Sequence, residues 1–185
     1  MAIYSKDAFV KANGSLALLE SDISDANDII NKFKSFKSDS SNNLKGEVWD
    51  LTRESLDSYI AALEARKNSA KLFADTIRSV NDSMIAAMGD FSDLDTSLLD
   101  EQRSIYSKCD QIINGDASKF SEKDRQLFNS SLMNSTKKLI NQIEKVNEAE
   151  KTCLAKLDSL TSTSADYYNK VGAIISSSSL YLTEI

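Results

Sequence analysis

Asp93, Asp95 and Ser97 stand at alternate positions, the spacing with which a calcium loop begins. Such a loop closes around the cation only if glycine allows a sharp turn at its sixth position and a bidentate glutamate ends it at the twelfth. Those positions hold Leu98 and Ser104, so the spacing does not predict calcium binding. Other routes to chemistry fail for reasons equally visible in the residue types. The chain has no histidine, which removes the usual general base and the commonest metal ligand. Its glycines, at 14, 46, 89, 115 and 172, never approach a phosphate-cradling loop. Cys109 and Cys153 are too few and too far apart for a disulfide framework or a zinc site, and both stand where a small buried hydrophobe is expected. Acidic side chains are plentiful, at 28, yet a catalytic carboxylate pair needs a concavity that long helices seldom build. The residues predict a protein that is not an enzyme, with no cofactor, no metal and no catalytic group.

What the chain does carry is a seven-residue repeat of apolar side chains. Phe9, Leu16, Ile23 and Ile30 open it; Trp49, Leu56, Leu63, Ala70, Ile77 and Met84 continue it; Leu132, Leu139, Val146, Cys153, Leu160, Tyr167, Ile174 and Tyr181 end it. Such a repeat keeps one stripe facing a partner helix over many turns. With no proline and five glycines, little interrupts helices well above the usual length. The expected fold is all-α: an elongated bundle of long antiparallel helices with coiled-coil-like packing and an N-terminal helical hairpin, forming one domain over residues 1–185.

The spacing predicts helices over about 5–37, 46–88, 97–114 and 122–182. Ser38 to Asn43 reads as a connecting loop, because its residues compete with the backbone for hydrogen bonds. A second row is expected three residues beyond the first: Ala12, Leu19, Ala26 and Phe33 in the first helix, Tyr59, Phe73, Val80 and Ala87 in the second. The second helix should end at Gly89 with a left-handed residue. Ser97 with Asp100, and Ser121 with Asp124, read as helix-capping boxes with aspartate in place of the usual glutamate. The phase of the last helix survives the run Ser159 to Ser164, so that helix is expected to continue through it.

A net charge of −6 argues against nucleic acid, which is bound through clustered Lys and Arg. No stretch approaches the roughly 20 apolar residues that span a bilayer, and the start of the chain lacks the pattern of a cleavable signal peptide. Membrane insertion is not expected. Apolar residues beside the main seams, Val10 and Ala17, Ile29 and Phe36, and Ile140, Leu154, Tyr168 and Ile175, are candidates for a partner surface.

Leu44-Lys45-Gly46 followed by Trp49 lies between two long helices about forty residues from the N-terminus. With the chain length, the all-helical character and the joint Leu94-Asp95-Thr96-Ser97, it resembles the LXG domains that head toxins exported by type VII secretion systems of Gram-positive bacteria. The resemblance covers essentially the whole chain, through a short motif. It implies a targeting role in which a variable C-terminal toxin, not this domain, carries out any catalysis. It further implies small helical helper proteins as partners, and a complex of domain and helpers presented to the secretion machinery's membrane ATPase. The protein would be cytoplasmic before export and then secreted without a cleavable signal peptide. The chain reaches Ile185 without a toxin segment, as an excised domain or a free-standing relative would. Tyr106 and Asp110 match a Tyr-x-x-x-Asp export signal associated with such substrates. On the residues alone, Leu44, Gly46 and Trp49 have plainer roles: a staple contact, backbone freedom and a core plug. Two other readings stay open, a self-associating structural coiled coil and a membrane-active helical toxin.

Overall fold

Long amphipathic helices dominate the computed structural model, which describes residues 3–182 and their side chains apart from those at 164, 166–168, 170, 171 and 174–182. A short strand β1 (Ile3–Ser5) leads into α1 (Lys6–Asn43), followed by α2 (Glu47–Met88), strand β2 (Asp93–Asp95), α3 (Leu99–Ile113), α4 (Glu122–Leu127) and α5 (Ser130–Leu182). Single 3-10 turns at Thr96–Leu98 and Ala117–Lys119 stand before α3 and α4. The all-α bundle expected from the repeat is the architecture found. The side chains of the expected seam positions Tyr167, Ile174 and Tyr181 lie outside those described.

The chain divides into two compact units, one of Met1–Ala12 with Val80–Leu154, the other of Asn13–Ser79 with Ala155–Ile185. The first has a core of Met88, Cys109, Ile143 and Val146, all fully buried, with Met84, Leu94 and Ile112 around them. Each such side chain contributes on the order of 1.5–3 kcal/mol by leaving water. Cys109 and Cys153 are buried free thiols, and burial pushes the Cys109 thiol up from its ordinary value. They pack as small hydrophobes, and Cys153 Sγ lies 3.7 Å from the Val80 carbonyl, which accepts from it.

β1 pairs antiparallel with β2, Tyr4 opposite Leu94. This pair was not expected from the sequence, since three residues are too few for an alternating pattern to show. It is held at its end by Lys6, whose backbone N–H donates to Ser92 O at 2.8 Å and whose Nζ donates to Gly89 O at 2.7 Å. Gly89 ends α2 at φ +56°, the left-handed residue the sequence predicts. Tyr4 stacks on Phe9 with ring centroids 6.3 Å apart, and burial together with a hydrogen bond to Glu150 raises its pKa to about 12.

In the second unit, α1 and α2 run antiparallel. Lys37 pairs with Asp57, Lys34 with Glu64 at 2.7 Å, Lys67 donates to Asn27 Oδ1 at 2.9 Å, and Arg78 pairs with Glu20. Leu16 and Ile30 of α1, Ile60 and Ala74 of α2 and Leu160 of α5 are buried.

Four sequence expectations are corrected. The run Ser38 to Asn43 is helical, because its side chains bond back to helical carbonyls instead of displacing them: Ser41 Oγ to Ser38 O at 2.7 Å, Asn43 Nδ2 to Asp39 O at 3.0 Å. Ser40, seven residues after the half-buried Phe33, is buried. In α2 a second buried row lies four residues beyond the first, at Ile60, Ala74, Asn81 and Met88; of the expected row, Tyr59 and Phe73 are exposed while Val80 is buried. The Ser97–Asp100 box does not form; Asp95 instead accepts from Ser97 N at 2.9 Å and Ser97 Oγ at 2.6 Å, and these bonds hold its carboxyl below the ordinary range. The helix expected from 122 to 182 breaks at Phe128, and Asn129 caps a new one by accepting from Ser131 N and Leu132 N.

Two further expectations hold. Ser121 caps α4, accepting from Asp124 N at 3.1 Å while its hydroxyl donates to the Asp124 carboxylate at 2.7 Å. α5 is unbroken through Ser159 to Ser164, where Thr161 and Thr163 hydroxyls donate to the carbonyls four residues back.

Candidate functional site

The α1–α2 turn is built from few residues. Leu44 N–H donates to Ser40 O at 2.8 Å, which closes α1. Gly46 then takes φ +116°, a conformation side chains rarely adopt, and its carbonyl accepts from Trp49 N at 3.0 Å and Asp50 N at 3.2 Å to start α2. Arg53 ties the two ends together, with Nη1 donating to Leu44 O at 3.2 Å and Nη2 meeting the Asp50 carboxylate. Arg53 was not singled out by sequence reasoning. Its signal was its place four residues after Trp49, on the row that α2 buries.

Leu44 is half-buried, consistent with a staple contact, and Gly46 supplies backbone freedom as expected. Trp49 is 37% exposed beside the more exposed Val48 and Leu51, which corrects its reading as a core plug. Next to the turn, Lys34, Lys37, Ser38, Ser41, Arg53, Asp57 and Ile60 line a groove of about 410 Å³. Each of its cations is already paired with a carboxylate, Lys34 with Glu64, Lys37 with Asp57 and Arg53 with Asp50, so the groove is electrically balanced and does not present free positive charge to an anion.

The two flanks of the hairpin differ. On one lie the ion pairs that join α1 to α2. On the other, Ile29 and Phe36 of α1 and Tyr59 and Phe73 of α2 are 41–50% exposed. At about 100° per residue, Leu18, Ile29 and Phe36 fall within about 20° of one line along α1, and Tyr59, Arg66 and Phe73 within about 40° of one line along α2. Leu18 is 79% exposed, and Arg66 is exposed as well.

The remaining sequence-selected residues do not converge on this flank. Val10, Ala17 and Leu154 are exposed, while Ile140 is half-buried and so is withdrawn from a freely presented strip. Tyr168 and Ile175 lie outside the described residues. Tyr106 is half-buried on α3, and the carboxylate of Asp110 accepts from Asn114 Nδ2 at 2.8 Å within the same helix end. Among the described residues no group of three or more His, Cys, Asp or Glu side chains is placed to hold a metal ion, and no helix is long and apolar enough to cross a membrane. Comparison with protein-family models, curated proteins and solved structures returned no match.

Proposed function

We propose that the chain is an export-targeting and partner-binding domain of the type VII secretion kind, which binds small helical helper proteins to form a secretion-competent complex. The observation that supports this most is the line of large apolar side chains on the two hairpin helices, Ile29, Phe36, Tyr59 and Phe73, each about half exposed. The turn itself, with its positive-φ Gly46 and the Arg53 tie, belongs to the same reading, since it aligns both helices of the hairpin. Helix docking onto such a flank needs no catalytic group in this chain.

The test is co-expression of the chain with small helical proteins encoded beside it, followed by purification on a tag carried by this chain alone. A stoichiometric complex, and export of this chain that stops when either the helper or the secretion ATPase is deleted, is the expected result. Monomeric elution with every neighbour, or export unaffected by both deletions, overturns the proposal. Salt-insensitive homo-oligomers would favour a structural coiled coil, and dye release from liposomes a membrane-active toxin.

A further inference from the structure

The break between α4 and α5 stands in a stretch that has no residue to impose it. From Asp116 to Val171 the chain contains neither glycine nor proline. The apolar face of α5 also runs back through the break, since Phe128 stands four residues before Leu132 and eight before the buried Thr136. Phe128 nevertheless leaves the helical region, at φ −91° and ψ 76°.

Side chains take the place of the helical bonds lost there. Asn129 serves both ends: its Oδ1 accepts from Ser131 N at 3.0 Å and Leu132 N at 3.1 Å, and its Nδ2 donates to the Gln126 carbonyl at 3.0 Å. In an unbroken helix those two N–H groups would bond the carbonyls of Leu127 and Phe128, and the Gln126 carbonyl would accept from Ser130 N. Lys108 of α3 holds the α4 side of the break, with Nζ 3.5 Å from the Asp124 carboxylate and 4.2 Å from the centre of the Phe128 ring. The Lys108 and Asp124 side chains are 43% and 37% exposed, so water and other charges compete for this contact.

We infer that the joint is a two-state latch. In the state described, Lys108 holds α4 to α3 and Asn129 caps both helix ends; in the other, Phe128 and Asn129 turn helical and one helix runs from Glu122 into α5. Backbone bonds of the usual helical kind then replace those of the Asn129 side chain, so both states satisfy the groups at the joint. The segment Asn114 to Ser121 has eight residues and can extend over about 26 Å, ample for moving a helix as short as α4. The straight state carries Phe128 onto the face of α5 that holds Leu132 and Thr136. An acidic group of a partner that draws Lys108 away from Asp124 shifts the chain toward it. The latch works whether or not the chain binds helper proteins.

The test is a distance. Spin labels are attached at two exposed positions through Lys123→Cys and Lys145→Cys, the buried native thiols being poorly reactive, and the full chain is read by pulsed dipolar spectroscopy. The rise of a continuous helix puts these positions about 33 Å apart, and a break between them brings them closer. The expected result is the shorter separation in the parent chain and an at least tenfold larger share of the long one in Lys108→Met/Asn129→Ala. Ser130→Pro is the lock: proline suits the first position of α5 and has no N–H for the Gln126 carbonyl, so adding it to that pair should restore the short separation.

Circular dichroism distinguishes straightening, which keeps or raises the helical signal, from unfolding, which lowers it. Where Lys108→Met/Asn129→Ala melts below the working temperature, Lys108→Met alone, which leaves both helix caps in place, is read by the same criteria. A short separation that persists in the folded variants, or a long one that persists with Ser130→Pro, overturns the inference.

Discussion

Arg53 reaches back nine residues to the carbonyl of Leu44, donating from Nη1 at 3.2 Å, while its other terminal nitrogen meets Asp50. The carbonyl at the end of the turn thus gains a charged donor that the helices themselves do not offer it. Its side chain is 13% exposed, so water replaces it poorly. Arg53→Ala should destabilise the chain by about 1–3 kcal/mol in urea melts, and Arg53→Lys by less, because a lysine cannot present two nitrogens in a fork. Asp50→Asn, at an exposed partner, should cost below about 1 kcal/mol.

The end of α2 offers a second measurement. A Cβ on Gly89 would lie 3.1 Å from Gln142 Nε2, at a φ of +56° that favours glycine, and Gln142 Nε2 itself donates to the Ala87 carbonyl. Gly89→Ala should therefore cost about 1–2 kcal/mol from backbone conformation, plus the displacement of Gln142. In a double-mutant cycle with Gln142→Ala the two losses should be less than additive, since the crowding is then already gone. Strict additivity would show that Gln142 does not feel the new methyl group.

Alkaline titration tests the strand pair. Burial, then the Glu150 carboxylate, raise the Tyr4 pKa to about 12 against a usual value near 10. The folded state holds this proton more tightly, so its stabilising effect is complete below about pH 10 and is lost as pH rises toward and through 12. Absorbance of ionised tyrosine at about 295 nm should show one late-titrating group. That late step should vanish in Tyr4→Phe, and so should the matching part of the fall in melting temperature.

At the acid end, Asp124 is the group to follow. The Ser121 hydroxyl and then Lys108 hold its carboxyl below the usual range, so it contributes stability above the ordinary aspartate value near 3.9 and loses it as pH falls through its lowered folded value. Ser121→Ala should cost about 0.5–2 kcal/mol at neutral pH through loss of the cap at Asp124 N. The difference between this variant and the parent chain should narrow below about pH 4.

Trp49 provides an optical test of its position, being the sole tryptophan. At 37% exposure it should be quenched by iodide in the folded chain, and Trp49→Phe should change stability by under about 1 kcal/mol. Protection from iodide, or a loss above about 3 kcal/mol, would restore the core-plug reading.

How far the chain could be read before its fold was known depends on the residue. The run of α2 to Gly89 was legible, because a heptad stripe and a terminal glycine act within a few turns of one helix. The Ser121 cap was legible for the same reason. Tyr59 and Phe73 were misplaced because residues three and four beyond a heptad position are about 100° apart, on opposite sides of the stripe, and sequence periodicity does not say on which side a neighbour lies. Arg53 was passed over because its acceptor, the Leu44 carbonyl, exists only once the hairpin turns.

The amino-acid sequence alone determined that this protein is helical, where most of its helices begin and end, and that Cys109 and Cys153 stand at positions for small buried hydrophobes. These follow from hydrogen bonds and side-chain periods that span a handful of residues. Tertiary structure alone decided that Ile3–Ser5 pairs with Asp93–Asp95, that Ser38–Asn43 stays helical, and that Phe36 and Tyr59 share an exposed flank while Lys37 and Asp57 pair on the other. Each of these depends on groups far apart in the chain, whose meeting is set by the packing of whole helices against one another and not by the preferences of any one segment.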